Sequence, residues 1–246
     1  MKADPARQSK LLDLQAIDTR LSQIDHARKT LPQHAEIADL EGKARLLDDQ
    51  LVRSRTELGD VQRELGKADA DVQQVRDRAT RDQQRLDSGV GTAKDLTAIQ
   101  HELESLGRRQ AALEEVELEV MERAEAIQND VSELERGRGE LTERLAALES
   151  ARDDRLAQLD GDAANVVAPR VRILELVGED LVALYDKIRG TSVTGAAPLR
   201  QRRCGGCRLE LNHVDLGRIK AAPPDEVLRC EECRRILVRT PESGLP

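Results

Sequence analysis

From Ile37 to Leu86 apolar side chains recur at alternating steps of three and four residues, through Ile37, Leu40, Ala44, Leu47, Leu51, Ser54, Leu58, Val61, Leu65, Ala68, Val72, Val75, Ala79, Asp82 and Leu86. Only Ser54 and Asp82 in this frame are polar. Seven heptads without slippage lay one stripe along a helix about 75 Å long at ~1.5 Å per residue, and such a stripe requires a partner helix. Residues 96 to 159 supply it with a second frame: Leu96, Ile99, Leu103, Leu106, Leu113, Val120, Ala124, Ile127, Val131, Leu134, Leu141, Leu145, Leu148 and Leu159. Gln110, Glu117, Arg138, Arg152 and Arg155 interrupt it. Between the frames, Ser88-Gly89-Val90-Gly91-Thr92 offers two glycines for a chain reversal. The pattern therefore predicts an antiparallel helical hairpin in which position i lies near roughly 181 − i.

Upstream, Leu14, Ile17, Leu21, Ile24 and Leu31 make a shorter seam that ends at Pro32, where a kink or break is expected. Downstream, Pro169 follows a soft Gly161-Asp-Ala-Ala164 stretch, and Val171 to Ile188 is again amphipathic, placed by the pairing rule beside the first helix. The expected organisation is a kinked antiparallel coiled-coil hairpin over 1–189 with its tip near 88–94, a connector at 190–198, and a small separate domain at 199–246. The expected fold class is mainly α, a long coiled-coil hairpin followed by a small C-terminal β domain.

Composition agrees. The 246 residues include no Trp, no Phe and one Tyr, and 35% are charged, so a large core built on aromatic side chains is excluded. Ala, Glu, Lys, Leu and Arg make up about half of the chain, as in long helices and coiled coils. The net charge is −8. No apolar run reaches the ~18 residues of a membrane span, and the N-terminus lacks the apolar core of a signal peptide, so a soluble, cytoplasmic protein is expected.

All four cysteines lie near the C-terminus as Cys204-Gly-Gly-Cys207 and Cys230-Glu-Glu-Cys233. Two such pairs offer four thiolates to one tetrahedral zinc, with Leu199–Arg203, Leu209–Leu211, Val227–Arg229 and Ile236–Arg239 as short strands around them. Four thiolates fill the shell and leave no site for water, so the expected Zn2+ is single and structural. A domain this poor in apolar residues depends on it, and metal removal is expected to unfold this part alone. His213, between the pairs, is the alternative ligand; the other reading places it in a short turn after Asn212.

The ribbon is basic on paper. Arg200, Arg202, Arg203, Arg208, Arg218, Lys220, Arg229, Arg234, Arg235 and Arg239 outweigh its acidic residues by three charges. They are candidate contacts to a partner protein or to nucleic acid, although the zinc–thiolate centre carries a formal −2 and no aromatic residue is present to stack a base. A solvated surface explains them equally well. At the hairpin tip, Asp82, Asp87 and Asp95 read either as an acidic probe or as ordinary helix-end residues, with Asp95 placed to cap the second long helix. His26, His34 and His101 are scattered, and no nucleophile elbow, paired-carboxylate motif or phosphate loop is present. The chain is therefore expected not to be an enzyme.

The combination resembles a bacterial family with an N-terminal coiled-coil hairpin and a C-terminal four-cysteine zinc ribbon. The resemblance rests on Thr92-Ala-Lys-Asp-Leu-Thr-Ala-Ile-Gln-His-Glu-Leu-Glu104 after the tip, Leu184-Tyr-Asp-Lys-Ile-Arg189, and Cys230-Glu-Glu-Cys-Arg-Arg-Ile-Leu237. Arg234 stands where the family has glycine. The resemblance implies a non-enzymatic scaffold or adaptor whose partners include the transcription apparatus, RNA polymerase or a sigma factor, or RNA, with no membrane contact. Direct nucleic-acid binding through the ribbon arginines is the alternative. Polar seam positions such as Gln110 and Glu117 leave homo-oligomerisation open.

Overall fold

A computed structural model describes residues 1–245. Its elements are α1 (Pro5–Lys29), α2 (Pro32–Asp87), α3 (Ala93–Val177), α4 (Glu179–Arg189), β1 (Ala196–Arg200), β2 (Arg203–Cys204), α5 (His213–Ala221), β3 (Leu228–Arg229) and β4 (Ile236–Val238), followed by a 3-10 turn at Pro241–Ser243. The chain forms two compact units, Ala35–Glu149 and Met1–His34 with Ser150–Pro246.

In the first unit α2 and α3 run antiparallel as a helical hairpin. Every one of the fifteen positions of the first heptad frame is buried or half-buried, as the pattern requires of a seam. Cross-arm ion pairs join Arg78 to Glu102, Arg76 to Glu114, Arg123 to Glu64, Arg55 to Glu135 and Arg138 to Asp48. Four of these five pairs have the α3 member several positions farther from the tip than the simple register. Side chains lean toward their own helix N-terminus, away from the tip on α2 and toward it on α3, so long side chains meet with that offset. Polar interruptions of the second frame are accommodated: Gln110 donates to Glu114 at 2.9 Å and Arg138 reaches Asp48 at 2.8 Å.

The tip is closed by a reciprocal cap. Asp95 accepts from the backbone N–H and the hydroxyl of Thr92, and its own N–H points to that hydroxyl. These bonds hold the exposed Asp95 carboxyl below its usual range. Thr92 is thus the cap and Asp95 its partner three residues on. Asp82 is half-buried near Arg78 and Arg85, and Asp87 accepts from Gln83, so all three acidic tip residues have local roles.

In the second unit α1 stops at Lys29, with Thr30 as its cap, and Pro32 opens α2. α3 passes through Pro169, whose ring is on the exposed side, and breaks at Gly178, which has φ 85°. Arg7 spans that break, donating from Nε to the last α3 carbonyl at 2.7 Å and pairing with Asp180.

The sheet order is β2-β1-β4-β3, with β1 and β4 parallel and the other pairs antiparallel. Both faces are covered. Ala196, Ile236 and Val238 join Leu11, Leu14, Leu181, Tyr185 and Ile188 in one core, while Leu199, Leu211, Ile219, Leu228 and Leu237 pack with Cys204 and Cys230 in the other. The alternation of β4 between the two follows from the two-residue period of a strand. The N-terminus adds to the assembly: Ala3 N–H donates to Asp225 O at 2.7 Å, Val227 N–H to Met1 O at 3.1 Å, and Gln8 to Pro224 O at 3.2 Å.

Four sequence expectations change here. The strand expected over Leu199–Arg203 turns back at Gln201 and Arg202, at φ 46° and 64°, so that β2 pairs antiparallel with β1. β1 begins at Ala196, inside the stretch expected to be a connector, because Ala196–Pro198 pair with Ile236–Val238. Leu209–Leu211 contributes one isolated bridge, Glu210 with Arg203, in place of a strand. The expected turn after Asn212 is the helix α5, capped by the Asn212 side chain on Asp215 N–H at 2.8 Å.

α1 also buries polar residues. Asp18, 1% exposed, accepts from Tyr185 OH at 2.9 Å and Arg170 Nε at 2.8 Å, with Arg189 at 3.3 Å. Gln15 accepts from the N–H of Gly195 at 2.7 Å. Burial and the Asp18 bond push the Tyr185 hydroxyl well above its ordinary pKa, and the same carboxylate holds Arg170 firmly protonated.

Candidate metal centre

Two turns of matching form present the cysteines. In each, the residue after the second cysteine donates its N–H to the first cysteine's carbonyl: Arg208 to Cys204 at 2.7 Å and Arg234 to Cys230 at 2.9 Å. Cys204 N–H then donates to Leu209 O and Cys230 N–H to Arg235 O, both at 3.0 Å. This geometry puts Arg208 at φ 64° and Arg234 at φ 59°, left-handed conformations that favour glycine. Arg234 therefore keeps the turn that glycine would make easily, at some backbone strain. Within the first turn the two glycines are needed for space, since a Cβ on Gly205 would lie 2.9 Å from Pro198 O and one on Gly206 2.8 Å from Arg235 Cδ.

The four Sγ atoms of Cys204, Cys207, Cys230 and Cys233 lie within 4.8 Å of one another. Cys204 is 3.7 Å from Cys233 and Cys207 is 3.9 Å from Cys230. A tetrahedral zinc with ~2.3 Å bonds sets its sulfurs about 3.8 Å apart, so the donor set and the spacing both suit zinc. As free thiols the four are unequal. Burial pushes Cys204 up and Cys230 to about 12, whereas at Cys233 burial is outweighed by Arg235 N–H and the neighbouring thiols, bringing it to about 7. His213 is the first residue of α5 and is not part of the cluster.

The ten basic candidates do not form a common patch of free charge. Arg200 pairs with Glu242 at 3.1 Å, Arg203 with Glu210 at 3.6 Å, and Arg218 and Arg234 share Glu231 at 2.5 and 3.0 Å. Arg229 donates to Arg234 O, Arg235 to Thr194 O, and Arg239 to the carbonyls of Ala222, Pro223 and Pro224. Their work is to hold backbone in place. Among the described residues, Arg202, Arg208 and Lys220 are the candidates whose side chains make no such bond.

The CT398-like coiled coil hairpin domain model matches residues 14–193, and the C4-type zinc ribbon domain model matches residues 203–237. This chain belongs to the CT398-like family. An uncharacterised protein of Mycobacterium tuberculosis is 36% identical over 239 residues, covering 97% of this chain and 98% of its own length. An uncharacterised protein of Mycobacterium leprae is 28% identical over 222 residues, covering 88% and 93%. Among solved structures, a Mycobacterium smegmatis protein superposes with TM-score 0.85 at 38% identity, covering 97% of this chain and all of that one. CT398 of Chlamydia trachomatis does so with TM-score 0.66 at 15% identity over 95% and 98%, which establishes a shared fold. In this CT398-like chain no described helix is long and apolar enough to cross a membrane.

Proposed function

We propose that this CT398-like protein is a non-enzymatic, zinc-dependent adaptor. Its ribbon holds one structural Zn2+ on Cys204, Cys207, Cys230 and Cys233, and its coiled-coil arm presents surfaces to protein partners. The observation that carries this reading is the saturated sulfur set: four thiolates complete a tetrahedral shell and leave no position for water or substrate, so the metal serves folding and not chemistry. The ribbon's arginines support the same view, because seven of the nine are engaged within the chain, three on backbone carbonyls and four on carboxylates. Partners of the transcription apparatus, RNA polymerase or a sigma factor, are the class this adaptor is proposed to serve in the cytoplasm.

The test is cross-linked co-purification of the tagged full-length protein, with and without nuclease, beside a Cys204→Ser/Cys230→Ser variant. Defined protein partners that survive nuclease support the adaptor. Loss of all partners on nuclease treatment replaces it with the nucleic-acid reading, for which Arg202, Arg208 and Lys220 are the free contacts and affinity should fall steeply with salt. A turnover activity abolished by a point substitution that leaves the fold intact would overturn both.

A further inference from the structure

Between Gln110 and Glu122, α3 carries five glutamates and no lysine or arginine. Glu114 turns inward to Arg76. Glu115, Glu119 and Glu122 share the outward face with Leu118, opposite the seam residues Leu113, Val120 and Ala124, and no cation pairs with them among the described residues. Leu118 is 56% exposed, and Val116 and Met121 flank it, also exposed. Elsewhere on the arm, ion pairs such as Arg55 with Glu135 and Arg138 with Asp48 cross between the helices. Here like charges sit three and four residues apart, where they repel, around an uncovered leucine.

The ribbon carries the complement. The outer face of α5 is a smooth strip of Val214, Gly217 and Ala221, with Val214 81% exposed and open space over Gly217. Lys220 stands beside the strip, and Arg208 and the exposed Leu209 precede the helix, both cations without a side-chain partner. An apolar strip edged with free cations matches an apolar knob ringed by free carboxylates in both charge and shape.

We propose that the ribbon of one copy docks on the outward face of α3 of a second copy, seating Leu118 against Val214, Gly217 and Ala221 while Glu115, Glu119 and Glu122 face Arg208 and Lys220. Each copy carries both surfaces, so a pair of copies offers two such contacts. The occupant is a second copy because both matched surfaces belong to this one chain.

Sedimentation of the zinc-loaded full chain tests this across a range of concentrations and salt. The wild type should form a concentration-dependent dimer that dissociates in high salt. E115K/E119K/E122K and R208E/K220E should each raise the dissociation constant about tenfold or more. An equimolar mixture of the two variants should dimerise again, because each reversed face then meets its reversed complement. Helicity and zinc content establish that both variants are folded. A wild type that stays monomeric throughout, reversals without effect, or a mixture that fails to restore the dimer would each overturn the proposal.

Discussion

Chelating the zinc should be felt in α1 as well as in the ribbon. The sequence alone suggests that metal loss unfolds residues 199–246 and nothing more, but the sheet is shared between two cores. If the ribbon opens, Ile236 and Val238 leave the core they form with Leu11, Leu14, Leu181 and Tyr185, at about 1.5–3 kcal/mol each. Four hydrogen bonds go with them, from Ala3 N–H to Asp225, Val227 N–H to Met1, Gln8 to Pro224 and Gly195 N–H to Gln15, at about 0.5–1.5 kcal/mol each. The base of the coiled coil thereby loses roughly 5–12 kcal/mol of support, against a typical domain stability of ~5–15. Hydrogen exchange read by mass spectrometry, before and after chelation, is the assay. Amides of Ala6 to Leu14 should lose at least roughly a thousandfold in protection together with those of β1 and β4, since about 1.4 kcal/mol is tenfold. Amides within Ala35–Glu149 should be unchanged, because neither core that meets the sheet contains a residue of that unit. Ribbon amides that open while α1 keeps its protection would refute the coupling.

Tyr185→Phe removes one of the donors to buried Asp18, and the lost bond to a charged group should cost about 1.5–3 kcal/mol in chemical denaturation. In high salt, where the protein is monomeric, Arg208→Gly should raise the melting temperature of the zinc-loaded protein by relieving φ 64° at a side chain with no partner in its own chain, a gain of about 0.5–1 kcal/mol after glycine's own entropy. Arg208→Val should lower it, and equal effects from the two would discount the backbone strain. The Asp95 carboxyl should titrate below the ordinary value of 3.8 by NMR, and Thr92→Val should bring it part of the way back, since the backbone N–H of residue 92 still donates to it. Since the folded-state pKa is depressed, the tip cap contributes in full above that ordinary value and is lost as the pH falls through the lowered one.

The arm was legible in the sequence because a heptad seam is one-dimensional information: a residue's position in the frame decides its burial whichever helix covers it. The frame fails first at Arg155, which is exposed while Leu156 takes the half-buried place. The cysteine spacing likewise announced the metal centre, since two short turns fix four sulfurs with little help from elsewhere. Pro169 leaves α3 unbroken because its cost depends on which side of the helix it occupies, and the break at Gly178 is not legible because a left-handed φ is a property of the backbone path. α5 has its own signals in the sequence, Asn212 and Asp215 as a cap and Leu216 and Ile219 as a buried face, but only two turns in which to show them. Asp18 and Gln15 could not be read as core. Their partners, Tyr185 and Gly195, lie 167 and 180 residues away, so no local pattern contains them.

That distribution of buried polar groups bears on how the molecule is organised. Gln8, Gln15, Asp18 and Ser243 are buried, and all four belong to the unit that contains the ribbon. A hairpin seam of Leu, Val and Ala tolerates a slip of a heptad with little loss, because one apolar layer resembles the next. A buried carboxylate that must meet a tyrosine and two arginines tolerates none, since any displacement leaves charge unpaired away from water. The polar groups of α1 thus fix one register between α1, α4 and the strand that leads into the first zinc turn. These bonds set the ribbon's placement on its helices, and a metal on the four thiolates would act by keeping the sheet intact so that they can form.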